Sequence, residues 1–276
     1  MKIINLYALS AKMDLLWILK DTKLFVIIVF ADLVSSISSL TGMFLLAWKF
    51  NGVGGLDKFE VLFMLGYVTI VTGCFQMFFA GSNVGHISRV IGRGQFEHIF
   101  IQPVSIPIQL LTSGFIPFSG GSNCVVGCLI LCLSIKNLNY QINVFWIFGL
   151  IGSTLVSIII ILSLSYIFST AAFYAPIQAE EISSYVIDST GILSTYPLSG
   201  MPMKFILPLI TIFPTGLLGW FPSLVLLKKN PLNLPELYPV FIACILFVIA
   251  YEIFRKGLRY YVKEGTNRYS DIGHRR

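Results

Sequence analysis

Residues 86–105, HISRVIGRGQFEHIFIQPVS, decide how the rest of the chain is read. His86, Arg89, Arg93, Glu97 and His98 crowd around a Gly92-Arg93-Gly94 turn, while the sequence on either side is apolar enough to live in lipid. Ile87, Val90 and Ile91 recur at the spacing of one helical face, and Phe96, Ile99 and Phe100 repeat it after the glycines. The pattern predicts two short amphipathic pieces joined at a hinge, with glycine ending the first and Pro103 stopping the second. A solvated connector has no use for two apolar faces. A segment docked on another protein does, and so does a helix resting on lipid headgroups.

Working outward, the 276 residues are 56% hydrophobic and 12% charged, whereas soluble domains carry roughly 25% charged residues. The composition implies an all-α polytopic membrane protein, a single transmembrane domain over 1–276. Apolar runs of about 20 residues, the length that crosses a hydrocarbon core of about 30 Å, fall at 24–48, 61–80, 106–135, 142–175, 203–227 and 237–254. They predict six transmembrane helices. The third run is interrupted by Pro117, Gly120 and Gly121, the fifth by Pro208, Pro214 and Pro222, and the fourth is longer than a bilayer requires. Residues 1–23, broken by Asn5, Ser10, Lys12 and Asp14 and followed by no small-residue cleavage site, read as an interfacial helix, and 255–276 as a basic cytoplasmic tail.

Short cytoplasmic loops are enriched in Lys and Arg. With the N-terminus inside, fourteen of the 19 basic residues, Arg89, Arg93, Lys204 and the tail among them, fall on the cytoplasmic side; Lys49, Lys58, Lys136, Lys228 and Lys229 fall outside. Both termini are therefore expected in the cytoplasm, and so is the 86–105 segment. The net charge of +6 follows from topology and attraction to anionic membrane lipid, and nucleic acid is not expected as a partner.

Catalytic chemistry is missing from the sequence. No G-x-x-x-x-G-K-[ST] phosphate loop, H-E-x-x-H or G-x-S-x-G occurs, so no catalytic residue is assigned. Glu180 and Glu181 invite comparison with intramembrane glutamate proteases, but Tyr185 stands where those carry arginine and no histidine lies in a span. Cys124, Cys128 and Cys132 recur every four residues and could offer thiolates to Cu(I), but small residues along a helix contact have the same spacing, and no metal is expected. Asp32 is the one acid well inside a predicted span, and Gln76 a weaker polar analogue. Such a buried acid faces a bundle interior or an aqueous cavity, or takes a structural hydrogen bond from a hydroxyl such as Ser35, Ser36 or Thr41. Residues 177–191 form a second cytoplasmic amphipathic element, either a partner contact or the end of the fourth span.

The segment IGRGQFEHIFIQPVS resembles the cytoplasmic stretch of permease subunits of type 2 ABC exporters, whose pattern runs roughly I-R-R-G-E-L-D-x-L-L-x-R-P-V-S. Ile91, Arg93, Gly94, Glu97, Ile99, Pro103, Val104 and Ser105 match in kind, and Gly92, Gln95 and Gln102 depart from it. Tyr196, Pro197, Leu198, Ser199, Pro214, Phe221 and Pro222 carry a second similarity; the glycines of 52–55 and the Leu65-Gly66-Tyr67 tripeptide are fainter ones. The resemblance implies a permease in a bacterial plasma membrane that pairs with a second permease, identical or homologous, and docks two ATPase subunits. ATP and Mg would be bound by that ATPase, with no cofactor in this chain. It implies export of a drug, toxic cation, lipid or peptide-like substrate. Within that frame, Ile91, Arg93, Gly94, Phe96, Glu97, Ile99 and Phe100 form the expected ATPase-coupling surface, and Asp32 and Gln76 the expected path or permease contact. A self-contained secondary transporter is the alternative, since it too uses broken helices and an intramembrane acid.

Overall fold

The computed structural model describes residues 2–229 and 234–265, and every regular element among them is a helix. In chain order these are α1 (Lys2–Lys20), α2 (Thr22–Lys49), α3 (Lys58–Phe79), α4 (Ile87–Gly92), α5 (Glu97–Phe100), α6 (Ile106–Ser113) and α7 (Ser122–Leu138). They continue as α8 (Val144–Ser169), α9 (Ala171–Tyr174), α10 (Ile182–Ser194), α11 (Met203–Thr211), α12 (Trp220–Leu226) and α13 (Tyr238–Glu264). Among the described residues, four stretches are long and apolar enough to cross a bilayer: α2, α3, α8 with α9, and α13. The expected end of the last span at 254 moves, because α13 runs on to Glu264; the rest of the basic tail lies outside the described residues.

The third apolar run is two helices, α6 and α7, separated by a turn over 114–121. Pro117 has no N–H for the helical ladder and the glycines weaken it entropically, and in lipid the freed groups need partners within the protein. Asp14 supplies them. Its carboxylate accepts from the backbone N–H of Phe118 at 2.8 Å and of Ser119 at 3.1 Å, and from Ser119 Oγ at 2.6 Å. This leaves Asp14 only 5% exposed. Alongside it Ser10 Oγ donates to Thr112 O at 2.9 Å and Tyr7 meets Phe115 edge-on at 5.2 Å, so α1 is strapped to the break in the third run.

α7 returns antiparallel to α3 at close range. A Cβ added to Gly66 would sit 2.9 Å from Leu131 N and one on Gly127 2.6 Å from Ile70 N, so each helix brings its backbone against the other's at a glycine. Cys124 belongs to this contact, against Gly73 and with its Sγ 3.8 Å from that of Cys74, whereas Cys128 and Cys132 face outward. Among the described residues no three His, Cys, Asp or Glu side chains converge on a metal site.

The fifth run, 203–227, does not form one straight span: α11 and α12 are bent 75° from each other. Both ends of the pair return to the turn between α2 and α3. At the start Ser199 O lies against Gly54 of that turn; at the end Lys229 Nζ pairs with Glu60 Oε1 at 2.5 Å. The apex, at Gly219, packs on Val68 in the middle of α3 and on Ser194. Prolines dictate this shape: Pro208 interrupts the ladder inside α11, and Pro214 cannot continue it. By contrast, the chain from Ser183, bonded to α4 beyond one end of α3, to Ser199, at the turn before its other end, runs the length of α3. At about 1.5 Å per residue those 22 residues span about 33 Å.

Candidate coupling surface and membrane cavity

α4 ends in a Schellman turn. Gly94, at φ 69°, donates its N–H to Ile91 O at 3.0 Å, and Gln95 donates to Val90 O at 2.9 Å. The left-handed residue reverses the chain so that Phe96 points back beneath α4. There it is 0% exposed, with ring centroids 5.9 Å from Phe173, 6.2 Å from Phe254 and 6.1 Å from Tyr261. Ile87, Val90 and Ile91 complete the same cluster. Two of the expected coupling residues are therefore turned inward. Ile91 and Phe96 turn into the chain's own core because the apolar stripe of each piece meets α9 and α13 of the same chain; Ile99 is half-buried. The outward face instead carries Glu97, His98, Phe100 and Ile101, the last 80% exposed. Phe100 still stacks on Tyr261 at 6.3 Å.

The two polar elements that the sequence presents separately, 86–105 and 177–191, form one apparatus. Arg89 Nε pairs with Glu181 Oε2 at 2.6 Å and Arg93 Nε with Glu180 Oε1 at 2.9 Å. Between them the buried Ser88 Oγ donates to Glu180 O at 2.7 Å, and lies 2.6 Å from Ser183 Oγ. Gly92 faces Pro176 O, 2.6 Å from where a Cβ would stand. Desolvation opposes charge on Glu181, but hydrogen bonds from Arg89 and Ser184 outweigh it and hold the carboxyl below the usual carboxylate range. His86, beside Ser184 Oγ at 3.2 Å, is pushed below its ordinary value by burial and by Arg89, against the pull of Asp188 and Glu181. The signal for this staple was legible: two arginines four apart on one short helix, and an adjacent acid pair in the next polar segment.

Beyond the staple, α10 runs beside a cavity of about 580 Å³ between α2, α3, α7 and α8. Asp188, Ile192 and Tyr196 follow Ser184 at four-residue steps and line it, opposite Thr69, Thr72 and Gln76 of α3. Gln76 Oε1 accepts from Asn123 Nδ2 at 2.7 Å, and Ser36 Oγ hydrogen-bonds Asn123 Oδ1. Asp32 does not line the cavity. It is half-buried against the start of α7, where Ser122 Oγ donates to its Oδ2 at 3.3 Å, so its hydroxyl partner comes from another helix rather than from Ser35, Ser36 or Thr41. The acid that does face the cavity, Asp188, was missed, since it sits in a stretch too polar to be read as membrane-embedded.

The second sequence motif also finds its partner: Pro197 and Ser199 pack on Gly54 of the 52–55 glycine turn, and Trp220 Nε1 donates to Ser199 Oγ at 2.6 Å. Helical spans, a stapled surface element and a cavity between helices define the membrane component of a transporter. A family model described as ABC-2 family transporter protein matches residues 33–265, and the chain belongs to that family of multi-pass ABC transporter permeases. No curated protein and no solved structure matches it.

Proposed function

We propose that the chain is the permease of an ATP-driven exporter in a bacterial cell membrane, working with a second permease and two cytosolic ATPase subunits that bind ATP and Mg. The observation that carries this reading is the staple: a surface element with an exposed apolar tip is ion-paired to the start of α10, whose other end lines the cavity. An ATPase moves a bundle only through a rigid element touching both, and α4 with α5 has that form. Six crossings are proposed, α2, α3, α6 with α7, α8, the stretch 182–199, and α13, with both termini cytoplasmic and α11 with α12 re-entering from the outer face. Lys204 then moves to the outer side, and the asymmetry of basic residues stays inward at thirteen to six. Exposed Val26, Phe30, Val34 and Ile37 on α2 suit lipid or the second permease.

The test is co-purification of a cytosolic ATPase with the full chain in mild detergent. Ile101→Asp, at the exposed tip, is expected to abolish that association with the permease still inserted and monodisperse. Undiminished association would remove Ile101 from the interface, and full transport with no ATPase present would establish a secondary transporter instead.

A further inference from the structure

The cavity beside α10 has an unbalanced lining. Asp188 and His86 are its ionisable side chains apart from Tyr196, and neither Lys nor Arg contributes to it. Asp188 stands on the second turn of α10, with no ion pair to it among the described residues, facing a space walled by Val68, Phe75, Ile161, Leu218 and the ring of Tyr196. The other polar groups of the lining are uncharged hydroxyls and amides, Thr69, Thr72, Gln76, Asn123 and Thr195 among them, which can donate or accept. A cavity of about 580 Å³ falls within the roughly 300–1,000 Å³ of small-molecule sites, which combine apolar walls with a few placed polar groups. A carboxylate with no Lys or Arg beside it raises the local concentration of cations and repels anions, and aromatic faces add to attraction of a positive charge.

We propose that this cavity takes a lipophilic organic cation, with Asp188 as its counter-ion. The assignment rests on the permease reading, and narrows its substrate to one chemical class. The charge sits near the cytoplasmic end of α10, where Ser184 meets His86, and the apolar body lies toward Leu218 and Tyr196.

The experiment uses two ions of nearly equal size and shape and opposite charge, tetraphenylphosphonium and tetraphenylborate, and measures their saturable binding to the purified full-length chain by equilibrium dialysis. Tetraphenylphosphonium is expected to bind saturably and tetraphenylborate not. Asp188→Asn, an isosteric change at an exposed position, is expected to weaken the cation at least tenfold, about 1.4 kcal/mol. Asp188→Glu is expected to retain it within a few-fold. Saturable binding of the anion, no saturable binding of the cation, or an unchanged affinity in Asp188→Asn would each overturn the proposal. Because no ATPase is needed for this measurement, its failure stays separate from failure of the permease reading, which the co-purification reports.

Discussion

Replacing Gly92 by alanine tests whether α4 is a stapled part of the bundle or a free loop helix. The added methyl would stand 2.6 Å from Pro176 O and 3.0 Å from Glu180 Cα, and both obstacles are backbone, which cannot swing aside. α4 must back away by several tenths of an ångström, stretching the 2.9 Å bond of Arg93 to Glu180 and the 2.7 Å bond of Ser88 to Glu180 O. Inserting a methyl into a packed contact costs about 1–3 kcal/mol, so opening of the 176–184 segment should become roughly 5-fold to 150-fold more frequent. Gly94→Ala puts a side chain at φ 69°, a penalty of about 1–2 kcal/mol confined to the Schellman turn. Hydrogen–deuterium exchange on the detergent-purified chain reads the difference at Ser183, Ser184 and Tyr185. Faster exchange there is expected in Gly92→Ala and little change in Gly94→Ala; protection identical to wild type in Gly92→Ala would refute the staple.

Two further outcomes follow from the same contacts. The folded-state value of Glu181 is depressed, so its pairing with Arg89 contributes stability above the ordinary carboxylate range and loses it as pH falls through the lower, folded value; side chains 31% and 38% exposed limit the effect to about 0.2–1 kcal/mol. A double-mutant cycle of Arg89→Ala and Glu181→Ala, read by thermal unfolding at neutral pH and again in acid, should show coupling that vanishes in acid. Asp14→Ala should cost about 1–3 kcal/mol by orphaning the N–H groups of Phe118 and Ser119, releasing α1 to limited proteolysis while α3 and α7 stay protected; an α1 as protected as in the wild type would contradict its role as a strap.

Much of the fold was written in hydropathy and punctuation. The runs at 24–48, 61–80, 142–175 and 237–254 became helices because uninterrupted apolar sequence in lipid has no other way to satisfy its backbone. The two amphipathic pieces around Gly92-Arg93-Gly94 were legible from their spacing, and the left-handed Gly94 from its place after the first apolar stripe. What spacing could not say was which partner each apolar face meets. Phe96 reads identically whether it docks on another protein or on Phe173 and Tyr261 of its own chain, because periodicity reports that a face is covered and is silent on what covers it. The 203–227 run was ambiguous for a related reason: a largely apolar 25-residue stretch satisfies a length criterion whether it goes straight through or bends by 75°, and only Pro208, Pro214 and Pro222 hinted at the bend.

The least legible element, α10, is the one on which function turns. Its thirteen residues include Ser183, Ser184, Asp188, Ser189 and Thr190, too many polar groups for a lipid-facing helix. That polarity has two separate physical origins at its two ends. At the start, Ser183 and Ser184 are consumed by α4 and by His86, so their hydroxyls are hydrogen-bonded and buried. Farther along, Asp188 lines the cavity, while Thr190, also in its wall, returns its hydroxyl to Ile187 O at 2.8 Å. A helix that grips a surface element at one end and lends a carboxylate to a cavity at the other cannot also be apolar throughout, and so it drops below a hydropathy threshold for spans. Displacement of α4 therefore reaches the cavity wall within two turns of one continuous helix, with no loop between to absorb it. The aromatic cluster of Phe96, Phe173, Phe254 and Tyr261 gives α5 a second, apolar grip, on α13. On the proposed reading, a push on Ile101 divides between a polar link to α10 and a packed link to α13, and only the polar link leads to the side chains that line the cavity.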